Sequence, residues 1–199
     1  TPVVECRRAG ATSEITRKTG DPMKYTPLKE TERAAKPATE HTRAINQAVI
    51  DALPFNDQRS FADAEKGFIA TIDPLTIKRD NGHITYDLSD FGFLAEDAPD
   101  TVNPSLWRQA KLNAEYNGLY EVTDGLYQVR SFDIANMTLI RGDTGWVIID
   151  PLTSTESSKA ALELANKHLG ERPVTGVLIT HSHADHFAGI LGVVSAEQV

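Results

Sequence analysis

The sequence predicts an α/β fold, because strand-like segments, an amphipathic helix and a buried strand follow one another in its second half. The first strand-like segments are short and apolar, and turn sequences such as Asp124-Gly125 separate them. The helix has an apolar stripe, and Thr153 with Glu156 has capping-box spacing at its start. The predicted strands are 119–122, 126–130, 136–141, 146–150 and 174–180, and the predicted helix is 154–169.

The chain divides into three predicted parts. Residues 1–38 mix charged residues, Thr and Pro without periodicity and are typical of an extended arm. Because such arms often wrap a partner subunit, we expect a homodimer. Residues 39–118 lead into the sheet (the lead-in), and residues 119–199 carry the predicted strands. In the lead-in we predict a helix from Thr39 to Pro54 and a short helix capped by Ser60. A hairpin is predicted about Asn81-Gly82. A third helix is predicted to begin at Pro104 and to end at Asn117-Gly118.

Composition excludes several classes of partner. The 199 residues carry a formal net charge of −8, with 40% hydrophobic and 24% charged residues, as an ordinary globular protein does. An acidic chain lacks the basic face that binds nucleic acid or anionic lipid. We therefore expect no nucleic-acid partner.

The sequence also bears on membrane insertion and compartment. No stretch approaches the roughly 20 apolar residues of a membrane span, so we predict none. Cys6 is the single cysteine, which excludes an internal disulfide framework and leaves either an incidental residue or a reactive thiol. The chain begins at Thr1-Pro2 without an apolar signal core, which fits either a cleaved leader or a trimmed sequence. We expect a periplasmic or secreted protein of bacterial type.

Four side chains that commonly bind metals follow the last predicted strand. His181, His183, Asp185 and His186 fall within six positions, and imidazole with carboxylate suits Zn²⁺ or a similar cation. Residues i and i+2 at an extended strand end project to one side, so His181 and His183 are predicted to bind one ion. Chain reversal into a following helix would turn Asp185 and His186 toward a second ion. The pattern predicts a two-metal hydrolytic site.

Two other interpretations of this loop are weaker. Its histidines could be accidental residues of a solvated loop, or Asp185 could cap a helix. Ser182 could act as a nucleophile, but no Gly-x-Ser-x-Gly turn surrounds it.

The motif His181-x-His183-x-Asp185-His186 after a buried strand resembles the signature of the metallo-β-lactamase superfamily. Residues 127–152, YQVRSFDIANMTLIRGDTGWVIIDPL, resemble the alkylsulfatase branch, which hydrolyses dodecyl sulfate and related sulfate esters. Most members of the superfamily follow the strand-end Asp with a small residue and Gly, whereas this chain has Asp150-Pro151-Leu152, as alkylsulfatases do. The resemblance is strongest over 119–192 and extends weakly back to about residue 44.

The resemblance implies an αβ/βα sandwich with a dinuclear site at one sheet edge and two Zn²⁺ or similar ions. It implies that His181, His183, Asp185 and His186 are metal ligands, and that Asp185 is also catalytic, orienting a bridging hydroxide. Asp150 would support the metal loop through hydrogen bonds, or alternatively cap the next helix.

The resemblance also implies an alkyl sulfate substrate, whose tail needs an apolar channel. Phe187 and Trp146 are candidates for that channel, although core packing is an alternative for each.

Further histidines, a carboxylate, a dimerisation region and a lipid-carrier-like domain lie downstream in the alkylsulfatases. We therefore expect this chain to be the N-terminal part of the sandwich, within a longer protein. The alternative functions are another hydrolase of the superfamily, acting on β-lactam, thioester or phosphodiester bonds, and a non-catalytic assembly segment.

Overall fold

A computed structural model describes residues 36–198, so Cys6 and nearly all of the predicted arm, residues 1–35, lie outside the described residues. Six strands form the main sheet, and most of them come from the part of the chain where a meander was predicted. They are β1 (Phe68–Ala70), β4 (Gly118–Thr123), β5 (Leu126–Arg130), β6 (Met137–Arg141), β7 (Trp146–Ile149) and β8 (Val174–Leu178). The α/β prediction is confirmed.

The order of the sheet is β1-β4-β5-β6-β7-β8. Neighbours are antiparallel up to β7, and β8 is parallel to β7, with Trp146 opposite Val174. A parallel pair needs a crossover, which helix α4 (Thr155–Leu169) supplies. The carboxyl ends of β5, β7 and β8 consequently lie along one edge of the sheet, together with the β5–β6 loop, residues 131–136. We call this the carboxyl edge.

The core lies on one face of the sheet. Alternate residues of β5, β6 and β7 point into it, as period-two strands require, and α4 packs against them through Ala161 and Ala165. Trp146 is fully buried, and its indole Nε1 donates to Asn166 Oδ1 at 2.8 Å. Trp146 was predicted either to line an apolar channel or to pack in the core, and the structure places it in the core. The buried strand residues are Tyr127, Val129, Met137, Leu139, Trp146 and Ile148.

The lead-in contributes helices, a hairpin and one strand of the main sheet. Its helices are α1 (Glu40–Ala52), α2 (Arg59–Glu65) and α3 (Pro104–Glu115), with a 3₁₀ helix at Leu88–Ala95. The hairpin pairs β2 (Thr76–Lys78) with β3 (Ile84–Asp87). The predicted helices and hairpin are present, whereas β1 and the 3₁₀ helix were not predicted.

Two predicted helix caps are wrong. Ser60 lies inside α2, whose first amide, Arg59 N, donates to Asp57 Oδ1 at 2.9 Å. The N-cap of α4 is Ser154, which accepts from Ser157 N, because Thr153 is used elsewhere: its hydroxyl donates to Asp133 Oδ1 at 2.8 Å. Between residues 36 and 198 we find no helix with the length and apolar character of a membrane span.

Candidate metal centre

The candidate site lies at the carboxyl edge, where the chain leaves β7 and β8. The ladder between these strands continues past them, since Asp150 N donates to Leu178 O at 3.0 Å. Beyond β8 the chain forms a loop, residues 179–189, with a short 3₁₀ turn at Ala184–His186 in place of the helix we predicted after the motif. We call residues 179–189 the histidine loop.

His181 and His183 form one close pair. His181 Nε2 lies 3.1 Å from His183 Nδ1, and the two ring centroids are 4.7 Å apart. Both side chains are exposed, so their nitrogens can be reached from solvent. Thr180 Oγ1 lies 3.0 Å from His181 Nδ1, which orients that ring.

Asp185 and His186 form a second pair. His186 Nε2 lies 3.2 Å from Asp185 Oδ2, and both side chains are about three-quarters buried. The rings of His186 and His181 have centroids 4.0 Å apart, so the two pairs adjoin. The structure therefore brings all four predicted ligands together.

Asp150 connects this cluster to the sheet. Its Oδ1 accepts from Thr180 N at 2.8 Å, and its Oδ2 accepts from Thr180 Oγ1 at 2.6 Å and contacts His186 Nδ1 at 2.8 Å. Because the cap of α4 is Ser154, the alternative role of Asp150 as a helix cap is excluded.

Asp150 and His186 each favour the charged form of the other. Burial works to raise the pKa of Asp150, but the hydrogen bonds from Thr180 and His186 outweigh it and hold the pKa below its ordinary value. The hydrogen bond to Asp150 raises the pKa of His186 against the opposing effect of burial, and the charges of Asp150 and Asp185 add to the rise.

Close packing fixes the histidine loop on the first turn of α4. Gly189 N donates to Leu152 O at 2.9 Å, and Ser158 Oγ donates to Gly189 O. A Cβ atom at position 189 would lie 2.2 Å from Pro151 O and 2.6 Å from Ser154 O, so this approach requires glycine.

Comparison with known proteins shows which family the site resembles. Residues 130–199 match the metallo-β-lactamase superfamily. That segment, which carries the histidine loop, is similar to the superfamily.

Similar proteins are sulfatases. A linear primary-alkylsulfatase of a Pseudomonas species is 51% identical over 167 residues, covering 83% of this chain and 25% of that protein. An alkyl/aryl-sulfatase of Saccharomyces cerevisiae is 43% identical over 166 residues, covering 83% and 26%. A solved structure of a stereoselective inverting sec-alkylsulfatase from a Pseudomonas species has a TM-score of 0.73 at 46% identity, covering 83% and 26%. The chain thus spans about a quarter of the length of the relatives it matches.

Similarity to the metallo-β-lactamase superfamily implies divalent metal, and the donor set here is compatible with it. Each pair combines two groups that suit Zn²⁺, and the contact of His186 Nδ1 with Asp150 leaves Nε2 as its ligand atom. In the described part of the chain, however, no group of three or more His, Cys, Asp or Glu side chains is placed to hold one ion. The residues fit as two half-sites, each of which needs further donors.

Sequence reasoning missed Thr180, which binds Asp150, and Asp133, which binds Thr153 three residues beyond Asp150. Thr180 was predicted only as a strand end, although a hydroxyl directly before the motif could have suggested a contact with the neighbouring strand. Asp133 accepts from Thr153 N at 3.0 Å and from its hydroxyl, and nothing in the local sequence pattern indicated that partner.

Proposed function

We propose that the full-length protein hydrolyses alkyl sulfate esters to an alcohol and inorganic sulfate, using two divalent metal ions. The observation that carries this proposal is the arrangement of His181 with His183 and of Asp185 with His186 as adjoining donor pairs. The sulfatase names of its relatives support the substrate class.

His181 and His183 would hold one ion, and Asp185 and His186 the other, with donors outside the described residues completing each. We propose zinc as the metal, because three of the four donors are imidazoles. When bound, such ions lower the pKa of water toward about 7 and stabilise charge on the departing group.

The residues of the chain orient the reactants. Asp150 accepts from His186 Nδ1 and so keeps Nε2 directed to the metal side, while Thr180 fixes Asp150 from both backbone and side chain. The Asp185 carboxylate lies beside His186 Nε2, where it can accept a hydrogen bond from the attacking water and orient it.

Local charge explains how an acidic protein attracts an anionic substrate. The net charge of −8 is spread over the chain, and salt screens exposed charges beyond about 8–10 Å. Two divalent ions at the carboxyl edge would dominate the field within that distance. The sulfate head is therefore bound by the metal centre rather than by the overall charge.

A ligand substitution tests the proposal. In the full-length protein, His183→Ala should abolish release of sulfate from dodecyl sulfate and reduce the metal content measured by elemental analysis. His83→Ala is the matched control, because His83 is exposed in the β2–β3 hairpin and its backbone contacts do not need the imidazole. Unchanged metal content and rate in His183→Ala would contradict the assignment.

A substrate panel tests the reaction class. We expect the wild-type protein to hydrolyse dodecyl sulfate faster than a β-lactam, a thioester or a phosphodiester. If one of those three is hydrolysed faster, the protein is a different hydrolase of the superfamily.

A further inference from the structure

Asp133 has no part in the function proposed above, yet it bonds to the segment that follows Asp150. It lies in the β5–β6 loop at the carboxyl edge and is half-buried. Its Oδ2 accepts from Thr153 N at 3.0 Å, and its Oδ1 accepts from Thr153 Oγ1 at 2.8 Å and from Ile134 N at 2.6 Å. Both carboxylate oxygens are therefore engaged, and each of them binds a donor of Thr153.

Strand register brings the two loops together. β6 and β7 are antiparallel, with Thr138 opposite Ile149, so the start of β6 lies beside the end of β7. The β5–β6 loop, which precedes β6, therefore adjoins the segment that follows β7, residues 150–154. We call this segment the β7–α4 loop. Asp133 and Thr153, 20 residues apart in the sequence, meet at this point.

The β7–α4 loop holds two residues in a left-handed backbone conformation. Asp150 has a φ of 56° and Leu152 a φ of 61°. The β-carbon makes this conformation unfavourable, and Leu lacks the short polar side chain that makes it tolerable for Asp. Such residues keep this conformation only where the surrounding contacts hold them. The position of the Asp150 carboxylate therefore depends on what holds the rest of the loop.

Several contacts hold Leu152 and the residue after it. The Leu152 side chain is fully buried, its N–H donates to Asp150 O at 2.9 Å, and its carbonyl accepts from Gly189 N at 2.9 Å. Thr153 is exposed, and among the hydrogen bonds of residues 36–198 its amide and hydroxyl bind only Asp133. Asp133 thus supplies the polar contacts that restrain the loop directly after its second left-handed residue.

The β5–β6 loop is itself firmly held, so Asp133 offers Thr153 a rigid acceptor. Phe132 and Ala135, on either side of it, are buried in the core. Ser131 Oγ donates to Asn113 O in the last turn of α3. Because the acceptor cannot easily move with its partner, it restricts where Thr153 can lie.

We propose that Asp133 is a positioning residue for the metal centre, acting through Thr153 on the conformation of the β7–α4 loop. The inference rests on the proposed function, because it takes the histidine loop to bind metal. Asp133 is not assigned a contact with metal or substrate, since its oxygens already bind the donors of Thr153 and Ile134.

The β7–α4 loop in turn holds the histidine loop near both of its ends. The Asp150 carboxylate binds Thr180 at one end and His186 Nδ1 within the loop. Leu152 O accepts from Gly189 N at the other end. A change in the conformation of the β7–α4 loop therefore moves the groups that orient His186.

Asp133→Asn in the full-length protein tests the proposal. The amide keeps one acceptor oxygen but places an NH₂ group against one of the two Thr153 donors. We expect zinc affinity, measured by equilibrium dialysis, to fall about tenfold, the lower end of the range for outer partners of metal ligands.

Asp87→Asn is the matched control. Asp87 Oδ1 accepts from both the amide and the hydroxyl of Ser89, the same kind of bonding, but it binds neither loop. Its zinc affinity should stay within about twofold of wild type. An equal loss of affinity in the two variants would overturn the proposal.

Two substitutions of Thr153 test the path of the effect. Thr153 is exposed, so Thr153→Val should fold and lose only the hydroxyl bond, with about a threefold loss of zinc affinity. Thr153→Ser keeps the hydroxyl and should bind zinc as wild type does. Adding Thr153→Val to Asp133→Asn should have little further effect, because the two residues act through one contact. Fully additive losses would show that Asp133 does not act through Thr153 and would overturn the proposal.

Hydrogen exchange of the metal-free full-length protein separates positioning from general stability. Asp133→Asn should speed exchange of a peptide covering 179–189 by about tenfold and leave β4 at the wild-type rate. Equal acceleration of both peptides would mean a general structural role and would overturn the proposal.

The same measurements separate this inference from the proposed function. Wild-type zinc affinity and wild-type exchange of 179–189 in Asp133→Asn would overturn the positioning role even if the enzyme releases sulfate from dodecyl sulfate. Failure of the wild-type enzyme to hydrolyse any alkyl sulfate would instead overturn the proposed function, whereas faster exchange of 179–189 in Asp133→Asn would still support the positioning role.

Discussion

Asp150 shows how much of this site depends on one side chain. It is 7% exposed, follows β7 directly and has a φ of 56°, a left-handed conformation that Asp tolerates better than most residues. That conformation turns its carboxylate toward Thr180 and His186 rather than along the strand. Asp150 therefore holds the histidine loop in a fixed position relative to the end of β7.

Asp150→Asn should weaken the site without removing a metal ligand. An amide can still accept from Thr180 N, but its NH₂ group meets His186 Nδ1 or the Thr180 hydroxyl with the wrong polarity. We expect metal affinity or activity to fall by about 10–100-fold. Equilibrium dialysis with zinc on the full-length protein measures this, and wild-type affinity would contradict the positioning role.

The residues of the site were predictable to different degrees. Two neighbouring donor pairs could be predicted from the spacing of His181, His183, Asp185 and His186. The residue types suit metal binding, and the local chain direction sets which side chains point the same way, so both depend on six consecutive residues. Asp133 and Thr180 were not predictable in this way, since their partners lie 20 and 30 residues away and depend on strand register.

Whole elements were predictable where local pattern and packing agree. The meander β4 to β7, the helix α4 and the strand β8 were predicted to within a few residues, since apolar periodicity is strong there. Strand β1 has three residues and exists only because it pairs with β4, and the 3₁₀ helix Leu88–Ala95 has no periodicity that distinguishes it from a loop.

A substitution at Gly189 tests how tightly the histidine loop packs against α4. Gly189→Ala should push the histidine loop away from α4, because its Cβ would overlap the carbonyl oxygens of Pro151 and Ser154. We expect a loss of about 1–3 kcal/mol in the free energy of unfolding, together with weaker metal binding. Gly176→Ala on β8 is the matched control, since its Cβ would meet only Val147 methyl groups at 3.8 Å.

Thermal denaturation of the two variants beside wild type measures this difference. Equal melting temperatures for Gly189→Ala and Gly176→Ala would show that the loop and α4 are less tightly coupled than the structure indicates.

At the scale of the whole molecule, the sheet and the metal centre are expected to stabilise each other. A metal that binds the folded protein alone adds RT ln(1 + [M]/Kd) to its stability, about 2.7 kcal/mol at a free concentration of 100 Kd. The site forms only when β7, β8 and α4 are assembled. Metal binding therefore stabilises the folded arrangement of these three elements.

Removing metal from the full-length protein should therefore lower its melting temperature, and adding zinc back should restore it. The shift should be much smaller in His183→Ala than in His83→Ala. Differential scanning calorimetry on the chelated and reloaded proteins checks this, and an identical zinc response in the two variants would mean that the ions bind elsewhere.

The parallel pairing of β7 with β8 also has a consequence for the order of folding. Antiparallel neighbours from β4 to β7 are joined by short turns and can form early, because little loop entropy is lost in closing them. Strand β8 must wait for α4 to form and cross the sheet, and the histidine loop follows it in the chain. Binding of metal by the proposed site is therefore expected to be a late event, which follows assembly of the part of the core that β4 to β7 form.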